Sequence, residues 1–81
     1  MSRETRLAIM AIIVEDLDSV ARLNELLHRY NELIIGRLGL PYRSKGVSLM
    51  SIALDAPQDQ INALSGQIGR LPGLKVKTLY A

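Results

Sequence analysis

Few side chains in this 81-residue sequence are equipped for chemistry, and their spacing narrows the choices further. There is one histidine, His28, and no cysteine. A metal centre needs several convergent donors, and no H-x-x-x-H, H-x-x-E-H or Cys-His spacing occurs. His28 lies one turn beyond Asn24 at the margin of an apolar helical face, which suits a boundary residue; only a symmetric oligomer would bring copies of it together. Glu15-Asp16 is a carboxylate pair that would serve acid–base chemistry if a cleft perturbed it. Its position at a strand-to-helix junction is explained by capping. Ser19 and Ser65 have no histidine beside them for activation. Gly36, Gly39 and Gly46 match no phosphate-binding glycine pattern. Arg37, Arg43 and Lys45 surround Tyr42, a grouping that suits an anion or carboxylate, or simply a solvated basic tip. Two candidate ligand sets follow: Asp16, Asp18 and Ser19 at the junction, and Asn24, His28, Arg37, Tyr42 and Arg43. No catalytic residue, metal site or cofactor is expected, and the chain reads as a non-enzyme.

Composition sets outer limits on the same choices. Without cysteine there are no disulfides, thiolate sites or cysteine nucleophiles. A hydrophobic content of 48% with a net charge of +2 excludes a disordered chain. The longest apolar run, Leu7 to Val14, is far shorter than the roughly 20 residues that span a bilayer. Arg3 and Arg6 precede that run, but Glu15, Asp16 and Asp18 follow it where a cleavage site would need small residues, which points to a cytoplasmic protein with no membrane association. The sequence pI of about 9.3 rests on an excess of two positive charges and argues little for nucleic acid.

The elements that must position these groups alternate in type. Leu7 to Val14 reads as a strand. A helix follows, capped by Asp16 or Asp18, with Val20, Leu23, Leu26, Leu27 and Tyr30 along one face. Leu33 to Leu38 is a second strand interrupted by Gly36, Gly39 to Gly46 a loop, and Val47 to Leu54 a third strand. Asp55 is the expected cap of a second helix with Ile61, Leu64, Ile68 and Leu71 as its stripe, stopped by Pro72-Gly73. Along that helix Asn62, Ser65, Gly66 and Gly69 form a small-residue flank, open to close approach by a backbone or ligand, or marking early fraying. Leu74 to Tyr80 is the fourth strand. The order βαββαβ specifies an α+β, ferredoxin-like sandwich, a four-stranded antiparallel sheet with two helices on one face. The chain forms a single domain over residues 1–81, with residues 1–6 as a flexible N-terminus. Strands one and three carry no charge and belong in the centre, whereas Arg37 and the pair Lys75 and Lys77 mark strands two and four as edges.

Both faces of strand one are apolar, although this topology covers only one with helices. Met10, Ile12 and Val14 are assigned to the uncovered face, with Met50 and Ile52 preferred to Val47 and Leu49 beside them. A bare aliphatic face calls for a cover, most simply a second copy, giving a homodimer or tetramer. The aliphatic character of these strands, free of stacking aromatics, excludes an RNA-reading sheet.

The chain as a whole resembles the small regulators of iron-only hydrogenase systems, relatives of ACT domains and of the C-terminal domain of the nickel-responsive repressor. The residues that carry the resemblance are Val14-Glu15-Asp16, Asn24 to His28, Ile35 to Arg43, Ala63 to Gly73 and Val76-Lys77-Thr78. It implies an ACT-like fold, oligomeric assembly and a regulatory role exercised with a small effector or a protein partner. Two departures bear on the ligand. The D-x-P-G of amino-acid-binding ACT domains is replaced by Asp16-Leu17-Asp18-Ser19, and the several histidines of the nickel repressor shrink to His28. With no ribbon-helix-helix segment ahead of strand one, direct DNA binding is not expected. The competing readings are a small ferredoxin-like enzyme, such as a cofactor-free oxygenase or acyl-phosphate hydrolase, and a nucleic-acid module using the basic loop.

Overall fold

Runs of β-branched and aliphatic residues make strands, and two amphipathic stretches between them make helices. The computed structural model describes residues 4–81. Strand β1 (Arg6–Val14) leads through a single 3-10 turn to helix α1 (Val20–Arg29). Strands β2 (Ile34–Tyr42) and β3 (Val47–Ala56) form a hairpin, helix α2 (Gln58–Gly69) follows, and β4 (Leu74–Tyr80) closes the sheet. The sheet order is β2-β3-β1-β4, antiparallel throughout, so β1 and β3 are central and the strands carrying Arg37 and Lys75 with Lys77 are the edges. This is the ferredoxin-like, ACT-like α+β fold. Among the described residues no helix is long and apolar enough to cross a membrane.

Several boundaries move from their expected places. The N-terminal segment expected to be flexible lies partly outside the described residues, and its last member, Arg6, already pairs with Ala56. Its guanidinium stacks 4.5 Å from the Tyr80 ring centroid and donates to Gln58 Oε1 at 2.6 Å. Strand β2 continues through the expected loop to Tyr42, because Leu38, Leu40 and Tyr42 find partners in Ser51, Leu49 and Val47. A bulge between Ile34 and Gly36 absorbs the interruption at glycine. Pro41 is tolerated because β2 is an edge strand. Gly46, with φ +65°, turns the chain into β3. Asp55 does not cap α2. The ladder holds β3 through Ala56, so the helix begins after Pro57, whose carbonyl accepts from Gln60 and Ile61 at 3.0 and 3.1 Å. Within the described residues no backbone closely approaches the flank of α2: a Cβ at Gly66 would meet open space and one at Gly69 only Val76 Cγ1 at 3.8 Å.

The core lies between the sheet and the helices. Leu23, Leu26 and Leu27 of α1 and Ile61, Leu64 and Ile68 of α2 pack on Ala8, Met10, Ile12 and Val14 of β1 and Ile52, Leu54 and Ala56 of β3. This reverses the expected faces. Met10, Ile12, Val14 and Ile52 are fully buried under the helices, with Met50 half-buried beside them. They cannot form an open surface. Each buried aliphatic of this size contributes about 1.5–3 kcal/mol of transfer free energy, and the helix stripes decide which side of β1 receives it.

Candidate functional site

The opposite side of the sheet carries the surface chemistry. Side chains alternate along a strand, so covering the even-numbered residues of β1 presents the odd ones to solvent. Leu7, Ile9 and Ile13 are 54, 49 and 42% exposed. The registers extend this set across all four strands. Ile9 lies beside Ala53 and Leu79, and Ile13 beside Leu49 and Lys75. Leu49 in turn pairs with Leu40, and Ser51 with Leu38. Leu38, Leu40, Leu49 and Leu79 are all exposed, as is Ile35 at the bulge. Two depressions dent this face. An apolar cleft of about 340 Å³ opens between Leu7, Ile9, Ile35 and Leu79, and a shallower one of about 180 Å³ lies between Ile13, Leu38, Leu40 and Leu49.

Charged residues stay at the margin, and exposed Ser51 is a polar residue within the field. Lys75 and Lys77 occupy the β4 edge, where Lys75 Nζ sits 3.4 Å from Glu15 Oε1, and exposed Asp55 pairs with Leu7 at the far end of β3. The result is an aliphatic field with a charged rim, the composition of a protein interface.

Two members of the junction set, Asp16 and Ser19, hold structural contacts. Asp16 Oδ1 accepts from the Asp18 backbone N–H at 3.0 Å and caps the 3-10 turn. Ser19 is buried and its hydroxyl donates to the Pro72 carbonyl at 2.7 Å. The Glu15 N–H donates to the Gly73 carbonyl at 2.7 Å. Gly73 has φ +72°, and a Cβ there would press on Asp16 Cβ and lie 2.8 Å from Asp16 N. These contacts close the junction against the turn before β4 and occupy Asp16 Oδ1 and the Ser19 hydroxyl, whereas Asp18 is exposed.

The second set is divided. Arg37 donates to Asn24 Oδ1 at 2.9 Å, joining the β2 edge to α1, and exposed His28 lies one turn further along that helix. Tyr42 pairs with Val47 on the open face, the opposite side of β2 from Arg37, and Arg43 starts the turn beyond. Neither depression of the open face is lined by His28, Arg37, Tyr42 or Arg43. Among the described residues no three or more His, Asp or Glu side chains are grouped to hold a metal ion.

The residues missed by sequence reasoning are Leu7, Ile9, Ile13, Ile35, Leu38, Leu40 and Leu79, while Leu49 belongs to the alternative to Met50 and Ile52. A signal for them exists in β3. Ser51 and Asp55 share the parity of Leu49, whereas Met50, Ile52, Leu54 and Ala56 form an uninterrupted apolar set, so the odd side of β3 is the solvent side.

Comparison with known proteins gives a consistent result. Residues 6–78 match the TM1266-like family model, whose description reads "Iron-only hydrogenase system regulator, putative". The uncharacterized protein TM1266 from Thermotoga maritima has a solved structure that superposes with a TM-score of 0.90 at 40% identity, covering 95% of this chain and 98% of that one. A formyltetrahydrofolate deformylase from Pseudomonas putida KT2440 superposes at a TM-score of 0.64 over 89% of this chain and 28% of its own, a likeness of fold alone at 10% identity. No curated protein matches the sequence.

Proposed function

The chain belongs to the TM1266-like family of iron-only hydrogenase system regulators, and from that premise we propose that it is a non-enzymatic regulatory domain working as a homo-oligomer. The observation that carries the oligomer is the uncovered aliphatic face. Strands of seven to ten residues at about 3.3 Å per residue, four abreast at about 4.8 Å, give roughly 550 Å² of projected sheet per copy. Two such faces apposed remove about 1,100 Å² from water, above the roughly 1,000 Å² that separates specific interfaces from casual contacts. Isologous pairing suits the face, because an apolar centre with a charged rim is its own complement.

In this reading the second copy supplies the layer that the βαββαβ topology leaves out. Regulation then passes through a small effector or a protein partner, and the chain does not itself contact DNA. The apolar cleft beside Leu7 and Ile35 lies at the border of the paired faces, where a bound effector would favour one arrangement of the two copies over another.

Sedimentation equilibrium of the full chain at micromolar concentration tests the assembly. The expected species has at least twice the 9.0 kDa chain mass. A 9.0 kDa particle that persists as concentration is raised through the micromolar range would overturn the proposal.

A further inference from the structure

The helical layer has a feature of its own. Arg22, Leu26 and Arg29 of α1 are spaced by four and three residues and form one stripe, which faces Gln67, Arg70 and Leu71 at the end of α2 across a groove of about 370 Å³. Leu26 is buried and Leu71 half-buried, so the floor is apolar. The rim is cationic. Glu25 also lines the groove and neutralises Arg29 at 3.2 Å. Arg22 and Arg70 have no ion-pair or hydrogen-bond partner among the described residues. Arg22 and Arg29 stand two turns apart, about 10 Å along α1.

We propose that this groove docks an acidic, amphipathic helical segment of a protein partner. The two unpaired guanidinium groups stand on opposite walls, and half-buried Leu71 beside them keeps apolar surface that a partner can cover. A bare inorganic anion would satisfy the arginines and leave the accessible part of Leu71 uncovered. A helix laid in the groove satisfies both: leucine-like side chains one turn apart cover the floor, and flanking carboxylates meet Arg22 and Arg70. The groove lies on the far side of the sheet from the open face, so docking does not require oligomerisation. It takes from the regulatory reading only the identity of the occupant as a protein.

The test uses a fluorescein-labelled helical peptide with leucines at i and i+4 and glutamates on both flanks, titrated with the full chain by fluorescence anisotropy. Binding is expected in the micromolar to submillimolar range, weakening as salt is raised. Each lost surface ion pair weakens affinity by about two- to fivefold. Reversing both charges adds repulsion, so the Arg22→Glu/Arg70→Glu variant should bind at least about tenfold more weakly. Both side chains are exposed, and circular dichroism of the variant should match the parent. A peptide with lysines in place of the glutamates should prefer the double variant to the parent chain. The proposal is overturned if the peptide fails to bind, if both proteins bind it equally, or if inorganic phosphate displaces it at comparable concentration, which would make the groove a simple anion site. Loss of oligomerisation with peptide binding retained would remove the assembly proposal and leave this one standing.

Discussion

Two adjacent residues of β1, Ile9 and Met10, should answer in opposite ways to substitution. Ile9 is 49% exposed at the centre of the open face, and Met10 is fully buried beneath the helices. Burying an isoleucine completely is worth about 1.5–3 kcal/mol. Half of that, about 1 kcal/mol, remains for a partner to collect at Ile9, and a symmetric dimer collects it twice. Ile9→Glu forfeits that gain and places two carboxylates in an apolar interface, each costing several kcal/mol when unpaired. The dimer should weaken by about 6 kcal/mol or more, four decades in dissociation constant. The variant should sediment as a folded monomer with the far-UV circular dichroism of the parent. Met10→Ala should do the reverse, losing about 2–5 kcal/mol of folding stability to a cavity while its folded fraction still assembles. Light scattering and urea denaturation on the same samples separate the two effects. If Ile9→Glu assembles like the parent, or if Met10→Ala dissociates without losing stability, the assignment of the two faces is wrong.

Further outcomes follow from single contacts. Gly73→Ala, at φ +72° and against Asp16, should cost at least about 2 kcal/mol of stability by chemical denaturation; an unchanged midpoint would refute the close packing of that turn. Ser19→Ala removes the buried hydroxyl bond to Pro72 and leaves its carbonyl without that donor, so the denaturation midpoint should fall by an amount equivalent to about 1–2 kcal/mol. Thr78 Oγ1 is buried with no hydrogen-bond partner among the described residues, so Thr78→Val should stabilise the chain by about 1 kcal/mol, a rise of roughly 4–8 °C in Tm by calorimetry. A fall in Tm would mean that the hydroxyl is satisfied.

The order of elements and the central placing of β1 and β3 were legible because charge and apolar runs agree with the βαββαβ plan. The runs Leu7 to Val14 and Val47 to Leu54, free of charge, are the inner strands, and Arg37, Lys75 and Lys77 fall on the edges. The facing of β1 was not legible from β1 itself. Leu7, Ile9 and Ile13 are as aliphatic as Met10, Ile12 and Val14, and a single-residue shift exchanges the two sides. The answer lay in its neighbours. Lys75 and Lys77 pair with Ile13 and Ala11, and Ser51 with Ala11, which marks the odd side as the one open to water. Strand β2 was cut short because Gly39 and Pro41 carry turn signals, whereas cross-strand partners and an edge position outweigh them. For the candidate site, the polar residues that looked chemical at the junction are those that the fold consumes. Asp16 and Ser19 each close a local contact whose partner is distant in sequence or set by backbone geometry.

The order β2-β3-β1-β4 also governs how the chain acquires its structure. Its first half contributes β1 and β2, which never touch, and its second half contributes β3 and β4, which do not touch either. Every ladder joins one half to the other. A βαβ half therefore has no sheet of its own, and the one local pairing, the β2–β3 hairpin, straddles the two halves. Long chain loops must close before β1 can pair with β3 or β4, which slows folding and makes it cooperative. The domain is in this sense two interleaved peptides on one thread. Cut between β2 and β3, the pieces would each be unstructured and would gain order only on meeting.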